Sequence, residues 1–166
     1  MIKSLKTFIA LSTIAFSGSN IAFAEDMQKS EYHIDALSIS DIYTARTHKS
    51  AHTAAIFMDV IHNGGEERRI VKASSPVSDR VELHTMIMDG DIMQMREAEN
   101  GFVVAGHQDT DLNDMGAHFM LMGLKQQLKK GETVNLTVEL DNGESKTFTV
   151  PVLDMAEVQD KQGGMH

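Results

Sequence analysis

Short apolar stretches separated by turn signals dominate this chain, and they constrain its fold more than any other feature. Short runs rich in Val, Ile, Thr and Phe that are bounded by turn residues are typical of antiparallel β-sandwiches and barrels. The candidate turns contain residues that tolerate positive φ, namely Asn63-Gly64-Gly65, Asp89-Gly90, Asn100-Gly101 and Asn142-Gly143. No long amphipathic helix is predicted. The predicted strands are residues 32–38, 54–62, 69–74, 80–88, 91–96, 101–105, 118–123, 133–140 and 145–152.

The first 24 residues are predicted to be a signal peptide. Lys3 and Lys6 precede an apolar run from Phe8 to Phe16, which is too short to span a bilayer as a stable helix. Small residues in Ala22-Phe23-Ala24 suit a signal peptidase, so we expect cleavage after Ala24 rather than an uncleaved anchor. The remaining divisions are a flexible lead-in at residues 25–31, one domain at 32–153 and a disordered polar tail at 154–166.

Charge and cysteine content exclude several classes of function. The formal net charge is −9, and it becomes −11 when Lys3 and Lys6 leave with the signal peptide. Such a surface repels nucleic acid and anionic lipid, and it suits cations, a basic partner or simply solubility. The chain has no cysteine, which excludes disulfides, a thiolate nucleophile, iron–sulfur clusters and blue-copper centres.

Residues 80–96 are predicted to form a hairpin with histidine and methionine on one face. A two-residue turn at Asp89-Gly90 places His84 opposite Met95 and Met86 opposite Met93. Because side chains alternate along a strand, these four residues share a face of the sheet. The odd-numbered neighbours are apolar and can supply the core, so the His/Met face is not needed for packing.

The same alternation puts His118, Met120 and Met122 together on a third strand. Thioether sulfur is a poor ligand for Zn²⁺, Mg²⁺ or Ca²⁺ but suits Cu(I), with imidazole as a borderline companion. The predicted metal ligands are therefore His84, Met95, His118 and Met120. The alternative is that the methionines only fill space, as they do in many cores. For Met86, Met93 and Met122 the two interpretations are evenly balanced: these residues either fill space, or they lie next to the metal ligands or replace one of them.

At these residues the chain resembles the periplasmic PCu(A)C copper chaperones. Their signature is a His, ten residues, a Met, about twenty-one residues and then His-x-Met. His84 and Met95 match the first part, and His118-Phe119-Met120 matches the last. The departure is one extra residue between Met95 and His118, which we expect the loop at residues 106–116 to absorb. A shift in strand register would instead remove His118 from the ligand face.

The resemblance covers residues 34–152 and implies a fold, a cargo and partners. The fold is an all-β, cupredoxin-like antiparallel β-sandwich with Greek-key connections. The implied function is periplasmic Cu(I) delivery toward the binuclear copper centre of cytochrome c oxidase subunit II, alone or alongside a thiol-redox copper chaperone. Some members bind Cu(II) in a C-terminal His/Met tail, of which Met165-His166 is a short version.

A soluble monomer without enzymatic activity is expected. Two alternative functions remain open at this point. One is a periplasmic copper scavenger or buffer without a dedicated recipient, and the other is a β-sandwich interaction module that binds no metal.

Overall fold

Two packed layers of β-strands make up the domain in the computed structural model, which describes residues 31–163 except 91, 108 and 113–115. The predicted signal peptide and residues 25–30 of the lead-in lie outside the described residues. No described helix is both long and apolar enough to cross a membrane. The elements are β1 (Tyr32–Ile34), β2 (Leu37–Ala45), β3 (Thr53–His62), β4 (Arg68–Ser74), β5 (Ser78–Asp89), β6 (Ile92–Glu97), β7 (Phe102–Val104), β8 (Asp109–Leu112), β9 (Ala117–Leu124), β10 (Thr133–Leu140), β11 (Ser145–Leu153) and α1 (Met155–Gly163).

The strand order explains how the layers are joined. One layer has the order β6-β5-β9-β3-β2, with β1 beside β2 and β8 beside β3. The other has the order β11-β10-β4-β7. Strand β11 is antiparallel to β10, but its last residues, Val152 and Leu153, pair in parallel with Thr44 and Ala45 of β2. This parallel pairing is an exception to the predicted antiparallel arrangement.

The core forms because alternate side chains of each layer point inward. Phe119 and Leu121 of β9 are fully buried, as is Ile56 of β3. They pack in one cluster with residues of the second layer such as Leu136 and Phe148. The even-numbered residues of β5 and β9 therefore face away from the core, as the alternation predicts.

The first strand of the domain differs from its prediction. Residues 32–38 were expected to be continuous, but Asp35 adopts a positive φ of 51° and the chain turns there, separating β1 from β2. Strand β2 continues to Ala45 and was otherwise not predicted. Its residues Leu37, Ser38 and Ile39 are all buried, so the strand lacks the alternating pattern of a half-exposed strand.

A second correction concerns the predicted disordered tail. Residues 155–163 of that segment instead form α1. Asp154 begins the helix, because its Oδ1 atom accepts hydrogen bonds from the backbone N–H groups of Ala156 and Glu157 at 3.0 Å each. Val158 is buried against Tyr43 and Leu153, and this contact holds the helix on the outer face of the first layer.

Candidate metal centre

The candidate site is centred on two histidines of neighbouring strands. His84 on β5 and His118 on β9 are directly opposite each other in the antiparallel register. Their ring centroids lie 5.7 Å apart in an edge-to-face arrangement. Both rings are shielded from solvent: His118 is 3% exposed, and the His84 side chain is 17% exposed. Directly opposite residues share a face, so this pair lies on the outer face of the first layer.

The two predicted methionine ligands lie on opposite sides of this histidine pair. Met120 follows His118 by two residues on β9, and it stands opposite Glu82. Met95 lies on the edge strand β6 and is 45% exposed. The structure thus brings His84, His118 and Met120 together, while Met95 is a diagonal neighbour of His84, a relation that typically spans about 7–8 Å between Cα atoms.

The predicted register of the β5–β6 hairpin is wrong by two residues. His84 lies opposite Glu97 rather than Met95, and Met95 lies opposite Met86. The last pair of the ladder is Asp89 with Ile92, so Asp89 belongs to β5 and the predicted turn at Asp89-Gly90 is wrong. Gly90 has a φ of +66°, which suits the first position of a two-residue hairpin loop. A slip of two residues preserves the face, so Met95 stays on the His84 side.

The extra residue before His118 does not shift β9 away from this face. His118 pairs with His84, and the buried residue Phe119 pairs with Leu83, which packs against the core. The segment predicted as a loop at residues 106–116 contains the short strand β8, which pairs with β3. Residues 113–115 lie outside the described part of the chain. The accommodation of the additional residue in the loop at residues 106–116 therefore stays a prediction.

Glu82 lies beside the candidate ligands and was not predicted to do so. Its Oε2 atom lies 2.9 Å from Nε2 of His84, and its side chain is only 13% exposed. The hydrogen bonds from His84 and then from Arg80 hold the pKa of Glu82 below its ordinary value. The alternation rule could have identified Glu82, since it precedes His84 by two residues and shares its face.

This hydrogen bond determines which nitrogen of His84 is available to a metal. An ionised carboxylate can only accept, so Nε2 of His84 carries the hydrogen, and in the neutral ring Nδ1 keeps its lone pair. Nδ1 is buried and has no hydrogen-bond partner among the described residues. A carboxylate behind a ligating histidine fixes the tautomer and ring orientation in many metal sites. The residues present therefore fit a metal ion with imidazole and thioether ligands.

Aromatic residues support the other histidine. The ring of Phe57 lies 5.8 Å from that of His118, and Tyr43 lies 5.5 Å from Phe57 on the far side. Tyr43 in turn contacts α1 through Val158. Sequence patterning offered no signal for this row, because Tyr43 lies in the part of β2 that was not predicted and α1 was expected to be disordered.

The C-terminal tail was suggested as a second metal site. Met165 and His166, the suggested tail site, lie outside the described residues. Among the residues that the structure describes, no three His, Cys, Asp or Glu side chains form a group that could hold a metal. The candidate donors are accordingly two histidines with thioethers.

The chain is similar to proteins of known family. A sequence profile described as LpqE-like, for a family of lipoproteins, matches residues 37–152. The chain is also 27% identical over 158 residues to Lxx21020 of Leifsonia xyli subsp. xyli, a protein named as a lipoprotein. That match covers 95% of this chain and 94% of the relative.

Solved structures of copper-binding domains share the fold. The solution structure of CuI-DR1885 from Deinococcus radiodurans is 27% identical with a TM-score of 0.57, covering 68% of this chain and 74% of that one. The copper-bound PCuAC domain from PmoF2 is 14% identical with a TM-score of 0.63, covering 75% and 98%. These likenesses confirm the predicted cupredoxin-like β-sandwich.

Proposed function

Because the chain belongs to the LpqE-like family and presents paired histidines beside thioethers, we propose that it is an exported, periplasmic Cu(I) chaperone without enzymatic activity. Its ligands are His84, Met95, His118 and Met120, and it acts as a monomer. The metal is cargo that the protein receives and releases. The similarity to PCuAC domains and to CuI-DR1885 supports copper as this cargo.

The observation that carries the proposal is the His84–His118 pair with Glu82 behind it. Two imidazoles on adjacent strands offer nitrogen ligands without requiring the backbone to move. The buried Nδ1 atom of His84 lacks a hydrogen-bond partner in the described part of the chain, and a metal ion would satisfy it. Neutral imidazole and thioether ligands add no negative charge, which favours Cu(I) over Cu(II).

Unequal exposure of the ligands suits transfer. His118 is 3% exposed, whereas Met95 is 45% exposed on the edge strand β6. A recipient's ligand can therefore approach from the β6 side and replace Met95 first, while the histidines still hold the ion. Partial exposure of one ligand allows exchange without release of free copper.

For the recipient we propose the binuclear copper centre of cytochrome c oxidase subunit II, reached directly or through a thiol-redox copper chaperone. The resemblance to PCu(A)C chaperones supports this destination. A scavenger that stores copper without a dedicated recipient would use the same four ligands, so only a transfer experiment separates the two.

Anaerobic titration of Cu(I) against a chromophoric chelator tests the site. We expect tight binding by the native protein and a loss of at least tenfold in affinity in His84→Ala, Met95→Ala, His118→Ala and Met120→Ala. Met155→Ala is a matched control, because Met155 is exposed on α1 and is not part of the strands that carry the four candidate ligands. Unchanged affinity in all four variants would contradict the proposal and favour the metal-free interaction module.

Delivery is tested by mixing the Cu(I)-loaded protein with the apo copper domain of an oxidase subunit II. We expect copper to appear in that domain at equilibrium. If the route is indirect, adding a thiol-redox chaperone should make the transfer faster. Copper that stays on this protein under both conditions would identify a scavenger.

A further inference from the structure

The methionines of the β5–β6 hairpin lie on one of its two faces. The face that carries His84 continues toward the turn with Met86 opposite Met95, and the next pair in the register is Met88 opposite Met93. These two cross-strand pairs contain only methionine. Glu97, opposite His84, is the nearest charged residue of β6 on this side.

The other face of the hairpin carries bonded polar side chains beside two exposed isoleucines, Ile87 and Ile92. Arg96 donates a hydrogen bond to the side-chain oxygen of Gln94 at 2.9 Å, and it lies 3.5 Å from the Asp89 carboxylate. Gln94 donates to the same carboxylate at 3.4 Å. The charged groups of the tip therefore bond to one another on this face, whereas the bonded ionic groups on the methionine side, Arg80 and Glu82, lie beyond His84 and farther from the turn.

Packing does not explain these methionines. Met93 is 55% exposed and Met95 is 45% exposed, and β6 is the edge strand of its layer. A side chain that fills a core gap is buried, as Met58 is at 2%. Leaving flexible apolar side chains in water on an edge strand gives no packing benefit and promotes edge-to-edge association.

We propose that Met86, Met93 and Met95 form a second Cu(I) site, built only from thioethers, at the tip of this hairpin. Directly opposite residues have Cα atoms about 4.5–5.5 Å apart, and residues two apart on one strand are separated by about 7 Å. Methionine has three rotatable side-chain bonds, so three sulfur atoms on such a grid can converge above the sheet. Three neutral sulfur ligands select a soft monovalent ion and reject Zn²⁺, Mg²⁺ and Ca²⁺.

This site goes beyond the proposed function, since it concerns a second ion and needs neither histidine. It is more exposed than the His84–His118 pair, so it binds and releases copper more readily. Met95 belongs to both ligand sets: when both ions are bound, Met95 serves the tip while His84, His118 and Met120 hold the other ion. An ion captured at the tip therefore lies one step along the sheet from the histidines. The tip is thus an entry point that concentrates Cu(I) beside the tighter site.

Stoichiometry and methyl chemical shifts test the inference in the native protein. Cu(I) is added anaerobically to protein labelled with ¹³C at the methionine methyl groups. We expect two equivalents to bind with different affinities, and the weaker one to shift the methyl signals of Met86 and Met93. The methyl groups of Met58 and Met155 serve as internal controls and stay in place. Binding of one equivalent, or no movement at Met86 and Met93, would overturn the proposal.

Two sets of variants separate this site from the histidine site. Met86→Leu/Met93→Leu removes two sulfur atoms with little change in volume, and we expect it to weaken the second equivalent at least tenfold while the first is retained. His84→Ala/His118→Ala should abolish the first and retain the second. If the leucine variant still binds both equivalents, the tip site is refuted and the histidine site is not. If the alanine variant still binds both equivalents, the histidine site is refuted and the tip site is not. Met155→Leu is the matched single control.

Discussion

Replacing Glu82 by glutamine tests how much the site depends on the carboxylate behind His84. The Glu82 carboxylate lies 2.9 Å from His84 Nε2, and neither side chain is more than 17% exposed. A hydrogen bond to a charged group contributes roughly 1.5–3 kcal/mol, against about 0.5–1.5 kcal/mol for a neutral one. Glutamine keeps the shape and can still accept through its oxygen, so the expected loss is about 1–1.5 kcal/mol.

That loss corresponds to a roughly tenfold weaker affinity for Cu(I), because a factor of ten is about 1.4 kcal/mol. It lies at the lower end of the 10–100-fold range typical of groups that orient metal ligands. Chelator competition under anaerobic conditions measures it. Glu97→Gln provides the control: Glu97 stands directly opposite His84 in the register, and the substitution changes the charge equally.

We expect Glu97→Gln to change Cu(I) affinity less than twofold, since Glu97 is exposed and water screens it. Equal effects of the two substitutions would show that only the net charge near the site matters. No effect of Glu82→Gln in a folded protein would refute the role assigned to Glu82. Thermal unfolding of both variants establishes that they are folded.

Three further predictions concern the framework around the site. Val158→Ala should lower the free energy of unfolding by about 1–2 kcal/mol, because two buried methyl groups are lost beside Tyr43. Denaturant titration followed by tyrosine fluorescence measures this change, and an effect near zero would contradict the packing of α1 against the sheet. Gly101→Ala should lower the free energy of unfolding by more than about 1 kcal/mol in the same assay. Gly101 has a φ of +78°, and a Cβ atom there would lie 2.3 Å from the Ile70 carbonyl oxygen. An unchanged free energy of unfolding would refute this backbone conformation. The hydrogen bond from Lys130 and then those from the helix backbone hold the pKa of Asp154 below its ordinary value. The ionised carboxylate therefore stabilises the helix above the ordinary pKa of aspartate, and this stabilisation is lost as the pH falls through the lower pKa of the folded state. Circular dichroism should show a smaller acid-induced loss of helix in Asp154→Asn than in the native protein, and equal losses would contradict this role of Asp154.

The face of the sheet on which each candidate ligand lies could be predicted from the sequence, but the exact strand pairing could not. Alternation along β5 and β9 depends only on whether a position is odd or even, and it correctly separated His84 from Leu83 and His118 from Phe119. The pairing of β5 with β6 depends on which two residues form the turn. Both Asp89-Gly90 and the dipeptide that begins at Gly90 suit a tight hairpin, so local sequence leaves two registers that differ by two residues.

Tertiary contacts explain the elements that were not predicted. Strand β2 is covered on both sides, so its residues do not alternate between apolar and polar. Helix α1 has nine residues and is held by Val158 against a tyrosine far away in sequence, and such a helix has little stability in isolation. Glu82 was recognisable from its spacing, but its importance depends on a side-chain hydrogen bond that spacing does not reveal.

The parallel contact between β11 and β2 has a consequence for the order in which the protein forms. Thr44 and Val152 lie near opposite ends of the domain sequence, yet they are neighbours in the sheet. Contacts between such distant residues close a long loop and slow folding. Strand β2 therefore completes its pairing only after the last strand has emerged, and Tyr43, which supports Phe57 beside His118, is fixed at the same late stage. A chain in which β11 has not yet paired with β2 holds its histidine pair less firmly than the finished domain, so any ion that the pair binds is expected to bind after folding.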